Sequence, residues 1–120
     1  MILRYLLFIL IGISTSVCYQ PNTMASVVEP AIQAGNFAPG QLEAHYLKHG
    51  YQLGLHTQEQ YLQGARELLN ASPGEDVLEK IRPNGDVERY WVSSGEFAVM
   101  TQSGRIRTYF KTDYSYWMRQ

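Results

Sequence analysis

The residues best suited to chemistry stand in the fragment HYLKHG, residues 45 to 50. His45 and His49 are four apart, so on a helix they share one face. Lys48 directly precedes the second imidazole. A histidine titrating near neutrality can take a proton from a hydroxyl or return one to a leaving oxygen. A lysine beside it can stabilise charge that builds on phosphorus. Metal binding is a competing use of the spacing, because the zinc-protease motif H-E-x-x-H also sets two histidines four apart. That motif requires a glutamate beside the first histidine as general base. Here Tyr46 takes that place and Lys48 opposes a divalent cation, so neither a metal nor another cofactor is expected. The remaining alternative is a pair of solvated histidines on a surface helix.

A second run bears on the choice. RIRTYFK, residues 105 to 111, carries Arg105, Arg107 and Lys111 with no acid between them. Strict alternation puts Arg105, Arg107, Tyr109 and Lys111 on one face of a strand, and Ile106, Thr108 and Phe110 on the other. Basic side chains suit phosphate, and an aromatic ring suits a stacked base. The structural alternative is a solvated basic edge that discourages aggregation. Together with the histidines these groups fit transesterification of RNA, in which the substrate's own 2′-hydroxyl is the nucleophile and a threonine hydroxyl can orient a phosphate oxygen. DNA lacks that hydroxyl and would not be cut. Alternation leaves one tension, since Thr108 and the basic residues fall on opposite faces. A bulge or strong twist would be required to bring Arg107 round.

These groups must be held by a small domain. The chain has 120 residues, 45% of them apolar and 18% charged, and a formal charge of −1, so any positive surface is local. QLEAHYLKHGYQLG reads as a helix stopped by Gly50. Thr57 and Gln60 have the spacing of a helix-capping box, followed by Tyr61, Ala65, Leu68 and Leu69 at helical intervals. After Gly74 the period changes to two. VLEKIRP, VERYWV, EFAVMT and RIRTYFK are four short runs separated by turns, the first of them at Asn84-Gly85. The expected fold is α+β, with two N-terminal helices packed on a four-stranded antiparallel meander. Glu96 and Phe97 are expected to serve strand pairing and core, and His56 to be solvated. One of Tyr90 and Trp91 should be core, and the terminal DYSYWMRQ should pack across the sheet.

Residues 1–17 have the layout of a secretory signal peptide: Arg4, an apolar run from Tyr5 to Ile13, then Ser14 and Ser16 at the −3 and −1 positions of a cut. The run is shorter than the roughly 20 residues that cross a bilayer, so no stable membrane span is expected in the mature protein. Export to the periplasm or medium follows. Cys18 is the only cysteine, which leaves no internal disulfide and fits a lipidation motif poorly. Residues 18–38, with Pro21, Pro30 and Gly35, read as a linker or arm, and residues 39–120 as the domain.

The combination of HYLKHG, the helix start TQEQY, then RPNGDVERY, GEFAV and SGRIRTYFK resembles the C-terminal nuclease domains of bacterial polymorphic and contact-dependent toxins. Those domains belong to the barnase–EndoU–colicin–RelE superfamily of metal-independent ribonucleases. The resemblance runs from Leu42 to the C-terminus and is most specific at the K-H-G step and in the GEF and G-x-I-R-T-Y-F-K blocks. The colicin D tRNase domain looks like a more distant relative. Its catalytic Lys-His step resembles Lys48-His49, and its Ser-x-Trp resembles Thr108-x-Phe110. The resemblance implies His49 as general acid–base, Lys48 as transition-state cation and Thr108 as phosphate-orienting hydroxyl. His45, Arg107, Phe110 and Lys111 join them as substrate-binding residues, from helix geometry and strand composition. It also implies RNA as substrate (tRNA among the candidates), a monomeric enzyme acting in a target-cell cytoplasm, and an acidic immunity protein as partner. Such domains commonly end very large secreted proteins, whereas this chain has its own export signal and a short arm. Two other readings stand beside it: a non-catalytic exported binding module, and a periplasmic protein anchored through a lipid on Cys18.

Overall fold

The computed structural model describes residues 32–120. The signal-peptide segment, Cys18 and the arm up to residue 31 lie outside them. Helix α1 (Gln41–His49) starts after Gly40 and ends at Gly50. A side chain at Gly50 would place its Cβ 2.7 Å from the Tyr46 ring, so only glycine lets that ring lie across the helix end. Leu42 and Tyr46, four apart, turn one stripe of α1 toward the core. A single 3₁₀ turn (Tyr51–Leu53) leads to α2 (Gln58–Asn70). Thr57 caps α2 by accepting from the Gln60 amide at 3.0 Å, and Gln60 Oε1 accepts from the His56 amide at 2.8 Å. Tyr61, Ala65, Leu68 and Leu69 form its buried face. Each fully buried leucine contributes about 1.5–3 kcal/mol of transfer free energy.

The strands are β1 (Val77–Ile81), β2 (Val87–Trp91), β3 (Glu96–Met100) and β4 (Ile106–Lys111), paired antiparallel in the order β1-β2-β3-β4. The first and third connections are built alike. In each, the strand-end carbonyl accepts from a glycine three residues on (Arg82 from Gly85, Thr101 from Gly104), and both glycines have φ 91°. That is a type I turn closed by a left-handed residue, which glycine adopts without strain. The Asn84-Gly85 hairpin signal is therefore met by a three-residue loop.

The sheet carries side chains on two covered faces. Val87, Ala98, Met100, Ile106 and Tyr109 face α1 and α2. Tyr90, Phe97 and Val99 face the other way, onto Trp117 of a third helix, α3 (Tyr114–Met118). Asp113 caps α3 by accepting from the Tyr116 amide at 2.9 Å. The terminal aromatic residues thus pack on the sheet as a helical turn on the opposite face, where a two-layer arrangement was expected. Residues 32–38 also pack with the domain. Ala34 and Phe37 are buried in the helix-side core, and the Ile106 amide donates to the Asn36 carbonyl at 2.9 Å. Pro and Gly content conceals this segment, because its order comes from docking beside β4 and not from any period of its own.

One irregularity matters for the site. Val99 pairs with Thr108 but Met100 pairs with Ile106, leaving Arg107 as an extra residue in β4. This bulge reverses the alternation expected before it. Ile106 joins Tyr109 on the helix side, while Thr108 and Phe110, paired with Val99 and Phe97, lie on the α3 side.

Candidate functional site at the α1–β4 edge

Strand β4 is the last strand of the sheet, and α1 packs against it. The helix turns His45 and His49 toward that edge, with ring centroids 6.0 Å apart. His45 lies against Phe37, at 5.2 Å, where residues 35–37 run beside the start of β4. His49 lies against Phe110, also at 5.2 Å, near the end of β4. Phe110 is fixed in turn by Phe97 at 5.2 Å and by the edge of Tyr116 at 5.6 Å. Thr108 is half-buried between these two ends of the strand, two residues from Phe110 and on the same face.

Both imidazoles titrate below their usual range. For His45 the larger cause is desolvation, then the charge of Lys48; for His49, desolvation, then Lys48, then His45. Each is therefore held neutral at pH 7 and able to accept a proton. Nδ1 of His45 is buried with no hydrogen-bond partner. Lys48 is exposed at the end of α1 and lines, with Ala44 and His45, a depression of about 200 Å³. Among the described residues no three His, Cys, Asp or Glu side chains are arranged to hold a metal ion, and no helix is long and apolar enough to cross a membrane.

The other expected residues are distributed unevenly. Lys111 stands opposite Glu96 on the helix side of the sheet, away from Thr108 and Phe110. Arg107 comes to the Thr108 side through the bulge, but its guanidinium reaches away from the histidines to Asp86, Nε to Oδ2 at 2.6 Å. Glu96 accepts from the Tyr109 hydroxyl at 2.5 Å, and burial pushes that phenol's pKa upward. His56 borders a separate surface cavity of about 220 Å³ with Tyr46, Leu47, Tyr51 and Leu55. Sequence reasoning missed Arg82, Asp86 and Glu88, whose side chains form ion pairs on the Thr108 face. Their signal was present in KIRPNGDVER as acids at alternate positions flanked by arginine, but in an alternating strand such acids read as solvated. In comparisons with known proteins, the chain matches no family model and no curated protein.

Proposed function

We propose that this chain is an exported, metal-independent endoribonuclease toxin that cleaves RNA to a 2′,3′-cyclic phosphate. The observation that supports the reading is the contact of His49 with Phe110, which sets an imidazole against β4, the strand that carries Thr108 two residues before that ring. In the reaction His49 accepts the 2′-hydroxyl proton as O2′ attacks phosphorus. The P–O5′ bond then breaks, and O5′ leaves with a returned proton. Lys48 offsets charge on the phosphorane, and Thr108 orients a non-bridging oxygen. His45 and Phe110 flank the substrate, the latter as a stacking surface. Two helices ahead of the sheet, with β4 as the catalytic strand, are the arrangement the toxin-nuclease resemblance implies. So are tRNA as one candidate target, an immunity protein in the producing cell, and a monomeric enzyme delivered to a target cytoplasm. Incubation of the full chain with total RNA in EDTA tests the reading. New 2′,3′-cyclic phosphate ends are expected; intact RNA beside folded protein rules the enzyme out.

One observation favours the second reading, a non-catalytic binding module. Leu47 of α1 and Tyr51 of the 3₁₀ turn that follows it are 71% and 95% exposed, an apolar surface suited to a protein partner. That reading expects His49→Ala to leave binding intact and no RNA to be turned over.

A further inference from the structure

The sheet face that carries Thr108 also carries two arginines that the reaction above does not use. Arg82 leaves the end of β1 and donates through Nε to Glu88 of β2. Arg107 leaves the β4 bulge, crosses β3 and donates from Nε and Nη2 to Asp86, at 2.6 and 3.4 Å. The carboxylates are almost sealed, with side chains 5% (Asp86) and 2% (Glu88) exposed, whereas Arg107 is 51% and Arg82 37% exposed. The cations therefore form the solvent-facing layer and the acids the floor. Glu88 Oε1 is buried without a partner, so among the described residues its charge is answered by Arg82 alone.

This layering decides which parts of each guanidinium remain available. Arginine carries five N–H donors in a planar fork. Both forks are held by their Nε side, which leaves the N–H donors of the opposite edge without a bond to these carboxylates. Asp86 and Glu88 are two residues apart along one extended run, about 7 Å at roughly 3.3 Å per residue. Guanidinium groups that keep the spacing of the acids holding them can both donate, at about 3 Å each, to a single tetrahedral anion between them. A bidentate fork suits phosphate oxygens better than a point charge does. The bulge that brings Arg107 to this face is the one register break among the described strands. Bulges commonly re-aim a side chain in this way.

We propose that Arg82 and Arg107 form a two-arginine seat for a phosphate group, with Asp86 and Glu88 as positioning residues beneath it. The seat rests on this geometry. Its assignment to a backbone phosphate of the RNA, next to the one that is cut, rests also on the ribonuclease reading. The test is titration of the full chain with inorganic phosphate, followed on the arginine Nε–Hε NMR signals. Arg82 and Arg107 should shift together with one saturating midpoint, while Arg66 and Arg119 stay in place. Arg82→Lys and Arg107→Lys keep the charge but lose the fork, and each should raise the phosphate Kd at least tenfold. Silence at both arginines, different midpoints, or a linear drift of every arginine overturns the seat. If either lysine variant fails to fold, the wild-type titration still decides. Cleavage separates the two readings. Phosphate bound at the pair with no RNA cut leaves the seat standing without a ribonuclease. RNA cut by a chain whose two arginines ignore phosphate removes the seat alone. Where both occur, Arg82→Lys should raise KM for RNA about tenfold and leave the pH profile unmoved.

Discussion

The His49 imidazole rests on the Phe110 ring, planes 32° from parallel, and Phe110 is itself wedged between Phe97 and Tyr116. The imidazole is thereby seated on a strand and not left to the rotamers of a helix end. Removing the seat should loosen it. Phe110→Ala is expected to move the His49 pKa back toward 6.5, as desolvation is its largest cause of depression. Cleavage should fall by about 10–10²-fold, the scale set by small misplacements of a catalytic group. NMR titration of the imidazole and an RNA cleavage rate report the two effects; an unmoved pKa would detach Phe110 from His49.

Replacing His49 is a sharper intervention. His49→Ala should lower the cleavage rate by about 10²–10⁴-fold, the range for loss of a general acid–base group. Fold is expected to survive, because His49 is half-buried at a helix terminus and its side chain bridges no two elements by hydrogen bonds among the described residues. Circular dichroism checks the fold and single-turnover cleavage the rate. A rate within threefold of wild type would remove His49 from the mechanism.

The two histidines also set a pH dependence. Both have folded pKa values below the unfolded value of 6.5. On acidification the unfolded chain takes up these protons first, so stability falls as pH drops through 6.5 toward the folded values and is unaffected above that window. The acid limb of kcat/KM should likewise lie below pH 6.5, since the proposed mechanism uses the neutral imidazole as base. Urea midpoints and cleavage rates between pH 5 and pH 8 measure both. An acid limb centred above 6.5 would contradict the desolvated site.

Thr108→Val keeps the shape of a half-buried side chain in the middle of β4 and removes only the hydroxyl. A hydrogen bond to a charged group is worth about 1.5–3 kcal/mol, which corresponds to roughly 10–10²-fold in rate. Loss is expected in kcat, with the thermal midpoint little changed. Unaltered kcat would leave Thr108 a strand residue and no more.

How much of this could be read in advance depended on whether local rules decided the outcome. The Thr57–Gln60 cap and the Tyr61-Ala65-Leu68-Leu69 stripe follow from spacing within one helix, and the four strands from a period of two broken by glycine turns. The faces of β4 did not follow, because RIRTYFK is equally apolar with or without one extra residue at Arg107, and only pairing with β3 reveals the bulge. Helix α3 has five residues, too few for a periodic signal, and its order comes from Trp117 stacking on Tyr90 at 5.7 Å. The burial of Glu88 was not legible because alternation assumes one wet face, whereas arginine side chains cover this one. Residues His45, Lys48 and His49 were legible as a cluster; what each ring rests on was not.

Arg89 offers a test of stability separate from the site. It stands on the helix side of β2, only 11% exposed, paired with Glu79 at 2.6 Å. Its Nη1 also donates to the Leu69 and Ala71 carbonyls, at 2.9 and 2.6 Å, closing the end of α2 where helical carbonyls have no partner of their own. Arg89→Ala strands two carbonyls and a carboxylate, at an expected cost of about 2–4 kcal/mol. For a domain of this size that lowers Tm by more than about 10 °C. Arg89→Met restores the aliphatic packing but not the bonds, and should recover less than half of the loss. Thermal unfolding by circular dichroism measures all three proteins, and cleavage well below their midpoints should be unchanged. A methionine variant as stable as wild type would mean that the stem, and not the helix-end hydrogen bonds, ties α2 to the sheet.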